Sequence, residues 1–297
     1  MMQSLSQFLC FALVSGLFLT ACNVTSNSST STTPAIVEAT KAPVTTASRV
    51  IALTSLSADI VQRLDQTKLI GMGGSRLLNQ KPEFAKIPKV SEGRTQPNLE
   101  KIVALKPDLV IGATGFHDQT LAKLKEMGVQ TLATEVNSWR SLEDLTRELA
   151  TKIQADPNPL LRSYQACFQP KPAQTASTLI LASSQPILAP NKNSWAGDLL
   201  TQFQVKNVVA DLQGQSPISG YVTLSPEKVL QTDPEVVILV DAEEGQAAKL
   251  KTAPFWNQLQ ATKSNRVYMF EYYGLVNPGS IDAINKACTQ LKQVFTQ

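Results

Sequence analysis

Two stretches of the chain, LEKIVALKPDLVIG at 99–112 and PEKVLQTDPEVVIL at 226–239, align without a gap. Glu100, Lys101, Pro107, Val110 and Ile111 match Glu227, Lys228, Pro234, Val237 and Ile238, and most other positions keep their polarity. Each copy starts as an amphipathic helix and ends as a β-branched run after a proline, the pattern of a helix feeding a buried strand. The flanks agree. RVIALTS (49–55) pairs with STLILASS (177–184), VQTLATE (129–135) with RVYMFEY (266–272), and each half closes on a helix opening at serine, SLEDLTREL (141–149) and SIDAINKAC (280–288). A duplication of this kind restricts the fold to two related lobes.

Within each half, short apolar runs alternate with helical spacing. RVIAL (49–53), KLIGMG, DLVIGA (108–113) and VQTLATE read as strands. Ala58–Leu64, NLEKIVAL from an Asn98 cap, QTLAKLKEMG up to Gly128, and Ser141–Ile153 read as helices. This alternation predicts α/β architecture: two Rossmann-like lobes with mainly parallel sheets, joined by a single helix, with a ligand cleft between them. The join is DPNPLLRSYQACFQPKP, a helical stretch set among four prolines. The expected boundaries are residues 49–155 for the first lobe, 156–172 for the connecting helix and 173–297 for the second lobe.

The N-terminus predicts export. Phe8–Ala21 is uncharged and apolar or small, about 14 residues, too short for the roughly 20 of a spanning helix. It suits the apolar core of a secretion signal. Leu19-Thr20-Ala21-Cys22 then resembles a lipobox, so residues 1–22 read as a lipoprotein signal with Cys22 as the lipid attachment. Residues 23–48, rich in Ser, Thr and Asn, read as a disordered tether. The expected location is the periplasmic or outer face of a bacterial membrane. Cys167 and Cys288 would then sit in an oxidising compartment and can pair; sequence alone leaves bonded and free thiols both open.

Of the 297 residues, 43% are hydrophobic and 17% charged, with a formal charge of +3. That supports ordinary cores and offers no basic stripe for nucleic acid. Ligands of open α/β sheets sit beyond the carboxyl ends of the strands. The loops expected there carry Ser55, Arg76, Arg94, Phe116, His117, Trp139, Arg140, Trp195, Tyr221, Asp241, Tyr272 and Tyr273. Aromatics supply contact area at low entropy cost and arginine a fork for carboxylates. These twelve are the candidate ligand-binding residues.

The ordered set RVIALTSLSADIVQRLDQTKLIGMG, NLEKIVALKPDLVIGA, GDLLTQFQVKNVVA and LSPEKVLQTDPEVVILV is similar to the periplasmic binding proteins of siderophore, haem and cobalamin uptake, over about residues 49–295. The resemblance implies a monomeric carrier without chemistry of its own, little hinge motion and an ABC permease as partner. The family often meets its permease through one surface Glu per lobe. The matching places here hold Ile87–Pro88 and Leu200–Thr201, with Glu83 and Glu92 near the first and Asp198 near the second.

With one histidine and no spaced metal motif, a bare Zn or Mn ion is not the expected cargo, and neither a resident metal nor a cofactor is expected. Three arginines beside aromatics point to an anionic ferric siderophore, with Fe3+ in the ligand. Cobalamin or haem is the alternative, in which His117 could meet an axial position. Two readings from other classes stand beside these. Ser225-Pro226-Glu227-Lys228 matches the S-x-x-K of serine β-lactamases, although a helix cap explains the same residues. A tethered protein-binding module is the second.

Overall fold

The computed structural model describes residues 46–93, 95–169, 176–214, 216, 218–242 and 245–295. Signal, Cys22, nearly all of the tether, and Arg94 lie outside the described residues.

The first half runs β1 (Val50–Ala52), α1 (Ser55–Leu64), β2 (Leu69–Met72), α2 (Arg76–Asn79), α3 (Leu99–Ala104), β3 (Leu109–Ala113), α4 (Asp118–Glu126), β4 (Gln130–Thr134) and α5 (Trp139–Ile153). Helix α6 (Asn158–Gln165) makes the connection. The second half runs β5 (Ser177–Leu181), β6 (Ser183–Ser184), β7 (Ile187–Pro190), α7 (Trp195–Gln202), β8 (Lys206–Asn207), β9 (Tyr221–Leu224), α8 (Pro226–Thr232), β10 (Val236–Asp241), α9 (Gln246–Lys251), α10 (Gln260–Lys263), β11 (Val267–Glu271), α11 (Tyr272–Leu275) and α12 (Ile281–Phe295).

The lobes repeat one topology. The first sheet has the order β2-β1-β3-β4 and the second β8-β5-β10-β11, all pairs parallel. The matched segments serve the same purposes in both. Asn98 caps α3 by accepting from the Lys101 amide at 2.9 Å, and Ser225 caps α8 by accepting from the Lys228 amide at 3.2 Å. The S-x-x-K is therefore a helix start, with the serine oxygen engaged by the backbone. After each helix the chain turns through a left-handed residue, Lys106 (φ 48°) and Asp233 (φ 31°), before the strand.

Strand side chains alternate between two environments, as a period of two requires. Val50, Ala52, Leu109 and Ile111 from the first sheet share a core with Ile180, Val236, Ile238 and Val240 from the second, together with residues of α1, α5, α7 and α12. The opposite faces, Ile51 and Val110 in one lobe and Leu179, Val237 and Leu239 in the other, pack into separate outer cores. The two lobes thus share one central apolar layer.

Three polar ties reinforce it. Trp139 donates its amide to Asp198 of α7 at 2.7 Å. Buried Asp59 of α1 accepts the Ile281 amide at the start of α12 (2.7 Å) and the Arg63 guanidinium (3.0 Å). Asp282 pairs with Arg63 at 2.7 Å and with Lys81. The last helix, within the second half, therefore also contacts α1 of the first. A disulfide joins Cys167, just past α6, to Cys288 of α12, with Cα atoms 5.3 Å apart.

Two expectations are corrected. The helix expected from Ser141 starts at Trp139, because Ser138 accepts from the Ser141 amide and Ser141 accepts from the Ser138 amide, a reciprocal cap. And Tyr221, expected in a strand-end loop, lies in β9, which joins β6 and β7 in a small antiparallel sheet.

Protein lacking residues 1–22, denatured without reductant, should show no titratable thiol. Replacing both cysteines by serine should lower the unfolding free energy by about 2–4 kcal/mol in a urea melt, since the bond closes a long loop. Burial raises the Asp282 carboxyl, but Lys81 and Arg63 outweigh it and hold it below the usual carboxylate range. A depressed pKa contributes stability above the unfolded value, about 3.9, that is lost as pH falls through the folded one. Asp282→Asn should therefore cost up to about 1 kcal/mol at pH 7, this pair being half exposed, and the difference from the parent should vanish in acid melts.

Candidate functional site

In a sheet of order 2-1-3-4 the chain leaves the two central strands in opposite directions, and the crevice opens beyond their carboxyl ends. A cleft of about 730 Å3 lies there in the first lobe. The loop after β1 supplies Leu53–Ser57, that after β2 Gly74–Arg76, that after β3 Ala113, Thr114 and His117, and that after β4 Thr134–Val136. Among the described residues of the second lobe, Tyr273, Asn277 and Pro278, just beyond β11, reach it.

The lining is hydroxyl-rich: Thr54, Ser55, Ser57, Ser75, Thr114 and Thr134. Thr54 caps α1, so that helix's amino end, with its partial positive charge, opens on the cleft. Among the described residues, the two charged side chains of the lining, Arg76 and Glu135, sit at opposite ends of the rim. Arg76 follows β2 and Glu135 follows β4, the two edges of the sheet, three strand spacings or about 14 Å apart. Their charges cancel.

Of the expected ligand-binding residues, Ser55, Arg76, His117 and Tyr273 come together here. Phe116 is exposed beside His117, ring centroids 4.8 Å apart. Arg140 points to solvent and pairs loosely with Asp144 on its own helix at 3.6 Å. Asp241 is exposed at the end of β10, away from the lining. Tyr221 is largely enclosed, and burial raises its phenol pKa, with Tyr272 adding to the rise. Tyr272 packs edge-on against Tyr273, centroids 5.3 Å apart.

Trp139 and Trp195 are core residues, not lining. Each opens a helix, α5 and α7, and their rings stack across the lobe junction at 5.9 Å and 20°. Trp195 also donates its indole N–H to the Gly274 carbonyl at 2.8 Å, which holds the turn that carries Tyr273. Gly274 has φ +98°, and a Cβ there would lie 2.0 Å from the Ala283 carbonyl oxygen. Glu83 and Glu92 are exposed, whereas Asp198 is occupied by the Trp139 amide.

The named candidates left out Thr54, Ser57, Ser75, Thr114, Thr134, Glu135 and Asn277, although all but Thr134 and Glu135 sit in the loops expected after the strands. Their signal was position immediately after a strand; their small polar side chains carried none.

Two α/β lobes on a shared core, with strand-end loops around a cleft, define a two-lobed solute-binding protein. The family model for periplasmic binding proteins matches residues 50–271, and the chain belongs to that family. YhfQ of Bacillus subtilis, whose provisional name makes it an ABC transporter substrate-binding lipoprotein, is 24% identical, covering 67% of each chain. The vitamin B12-binding protein of Salmonella typhi is 27% identical, over 84% of this chain and 91% of its own. The crystal structure of an ABC transporter substrate-binding protein from Listeria monocytogenes superposes with a TM-score of 0.67, at 19% identity, over 83% of this chain and 98% of that one.

Gly274→Ala should be destabilising by about 2 kcal/mol or more, from a forced left-handed alanine and a blocked Cβ, and should be read by thermal melt. Trp195→Phe keeps the stack but loses the bond to Gly274. It should melt below the parent, by about 1–3 kcal/mol from the void and the lost bond, and bind ligand more weakly.

Proposed function

We propose that the protein is the substrate-binding lipoprotein of an ABC importer, and that its cargo is a corrinoid of the cobalamin type. The observation that carries the corrinoid is the balanced cleft. Among the described residues, one arginine and one glutamate stand at opposite ends of a row of hydroxyls, with a tyrosine on the other side. That lining suits a bulky ligand that is neutral overall and rich in amides, and which offers both acceptors and donors around its edge. The anionic siderophore reading drew on three arginines. Arg76 lines the cleft, Arg140 is turned away, and Arg94 is outside the described residues. The similarity to a B12-binding protein over most of both chains supports the same cargo.

The lipobox supports export and anchoring through Cys22, and the similarity to a lipoprotein supports it further. The family supports a membrane permease as partner and carriage without chemistry. Glu83 and Glu92 are the acidic residues the first lobe offers for docking. The second lobe offers no equivalent in Asp198, which is engaged inside.

Equilibrium dialysis against cyanocobalamin should give micromolar or tighter binding, about −8 kcal/mol or better. Arg76→Ala and Tyr273→Ala should each weaken it about tenfold, a loss near 1.4 kcal/mol. Retention of a ferric carboxylate chelate with no retention of cyanocobalamin would transfer the assignment to iron uptake.

A further inference from the structure

His117 is the chain's single histidine, and it is 6% exposed. It begins α4 and lines the cleft beside the end of β3, one of the two central strands. Its seat is tightly made. Its own amide donates to the Ala113 carbonyl at 2.9 Å, and its Nδ1 accepts the Ala113 amide at 2.8 Å. A Cβ on Gly112 would lie 2.8 Å from the His117 Cβ, so only glycine leaves room for the imidazole to close on the strand end. Phe116 packs edge-on against the ring.

The hydrogen bond to Nδ1 decides what the ring can do. A backbone amide only donates, so Nδ1 must present its lone pair, and the proton of the neutral ring stands on Nε2. Metal-bound histidines are held the opposite way: the far nitrogen donates its N–H to a carbonyl or carboxylate, which leaves the near lone pair for the metal. Here, moving the proton to free Nε2 would set N–H against N–H at Ala113. Burial lowers the ring's pKa, with Asp118 pulling it weakly back, so the neutral form prevails at neutral pH. Among the described residues Nε2 has no partner.

We propose that His117 is the cleft's fixed hydrogen-bond donor: clamped at Nδ1 by Ala113, it offers Nε2–H to an oxygen acceptor of the cargo and does not bond to the cargo's metal. The corrinoid reading supplies the acceptor, an amide or phosphate oxygen at the ligand's edge; the donor role stands on the clamp alone.

The full chain, made without a polyhistidine tag and labelled with 15N-histidine, has one pair of ring nitrogens to observe. At pH 7 their shifts should report a proton on Nε2 and a bare Nδ1; the reverse pattern overturns the proposal. Binding supplies the second measurement. Aquocobalamin, whose axial water exchanges, and cyanocobalamin, whose cyanide does not, should bind within about twofold of each other, and the visible spectrum of the aquo form should not move. His117→Ala should weaken both by about five- to tenfold, the range of one lost hydrogen bond, and His117→Gln, which keeps an N–H donor, should weaken them less. A shifted aquocobalamin spectrum that disappears in His117→Ala would mean cobalt coordination and overturn the proposal. If neither form binds while the nitrogen shifts are as expected, the corrinoid assignment fails and the donor assignment stands.

Discussion

The stack of Trp139 on Trp195 ties the two lobes to each other. Both indoles are buried where the lobes meet, near-parallel, with Phe168 and Tyr164 closing around Trp139. Each begins a helix, so moving either ring moves a helix in its lobe. The Trp139 amide on Asp198 fixes the register of the two helices, and the Trp195 indole on Gly274 fixes the one turn of the second lobe that reaches the ligand. Apolar area, a charge-assisted bond and an indole N–H thus act at one junction, and the tyrosine on the far side of the cleft takes its position from it.

The duplication goes deeper than strand order. Asp108 accepts the Ser48 and Arg49 amides that lead into β1, and Glu235, its counterpart in the repeat, accepts the Ser177 amide at the start of β5. In both lobes an acid just before the third strand ties down the start of the first. The lobes diverge at the other end of their sheets. In the second, Gln246 donates to the Ala182 and Val240 carbonyls, so a side chain of the lobe itself covers the ends of β5 and β10. The equivalent ends in the first lobe, after β1 and β3, line the cleft, with His117 seated on the end of β3. The cleft is therefore built mainly by one lobe and closed by a single turn from the other, where the symmetry of the sequence suggested equal shares.

The fold was legible because its signals are local. Helix caps at Asn98 and Ser225, left-handed turns before strands, and β-branched runs each act within a few residues, and together they specify a parallel sheet. The site was legible only by position. Ser55, Arg76, His117 and Tyr273 were found because they follow strands. The tryptophans misled for the same reason: a large aromatic after a strand fits a rim or a junction equally well, and only the packing of the opposite lobe distinguishes them.

Residue order alone determined that there would be two α/β lobes, one connection, and a cysteine pair free to bridge it, since periodicity, capping and spacing are properties of neighbours along the chain. Tertiary structure decided the rest: that Cys167 meets Cys288, that the last helix also touches the first lobe, that an arginine and a glutamate stand at opposite ends of the cleft, and that the lone imidazole turns its lone pair to the backbone. These are contacts between residues far apart in sequence, set by how two sheets share one apolar layer, and no local pattern encodes that distance.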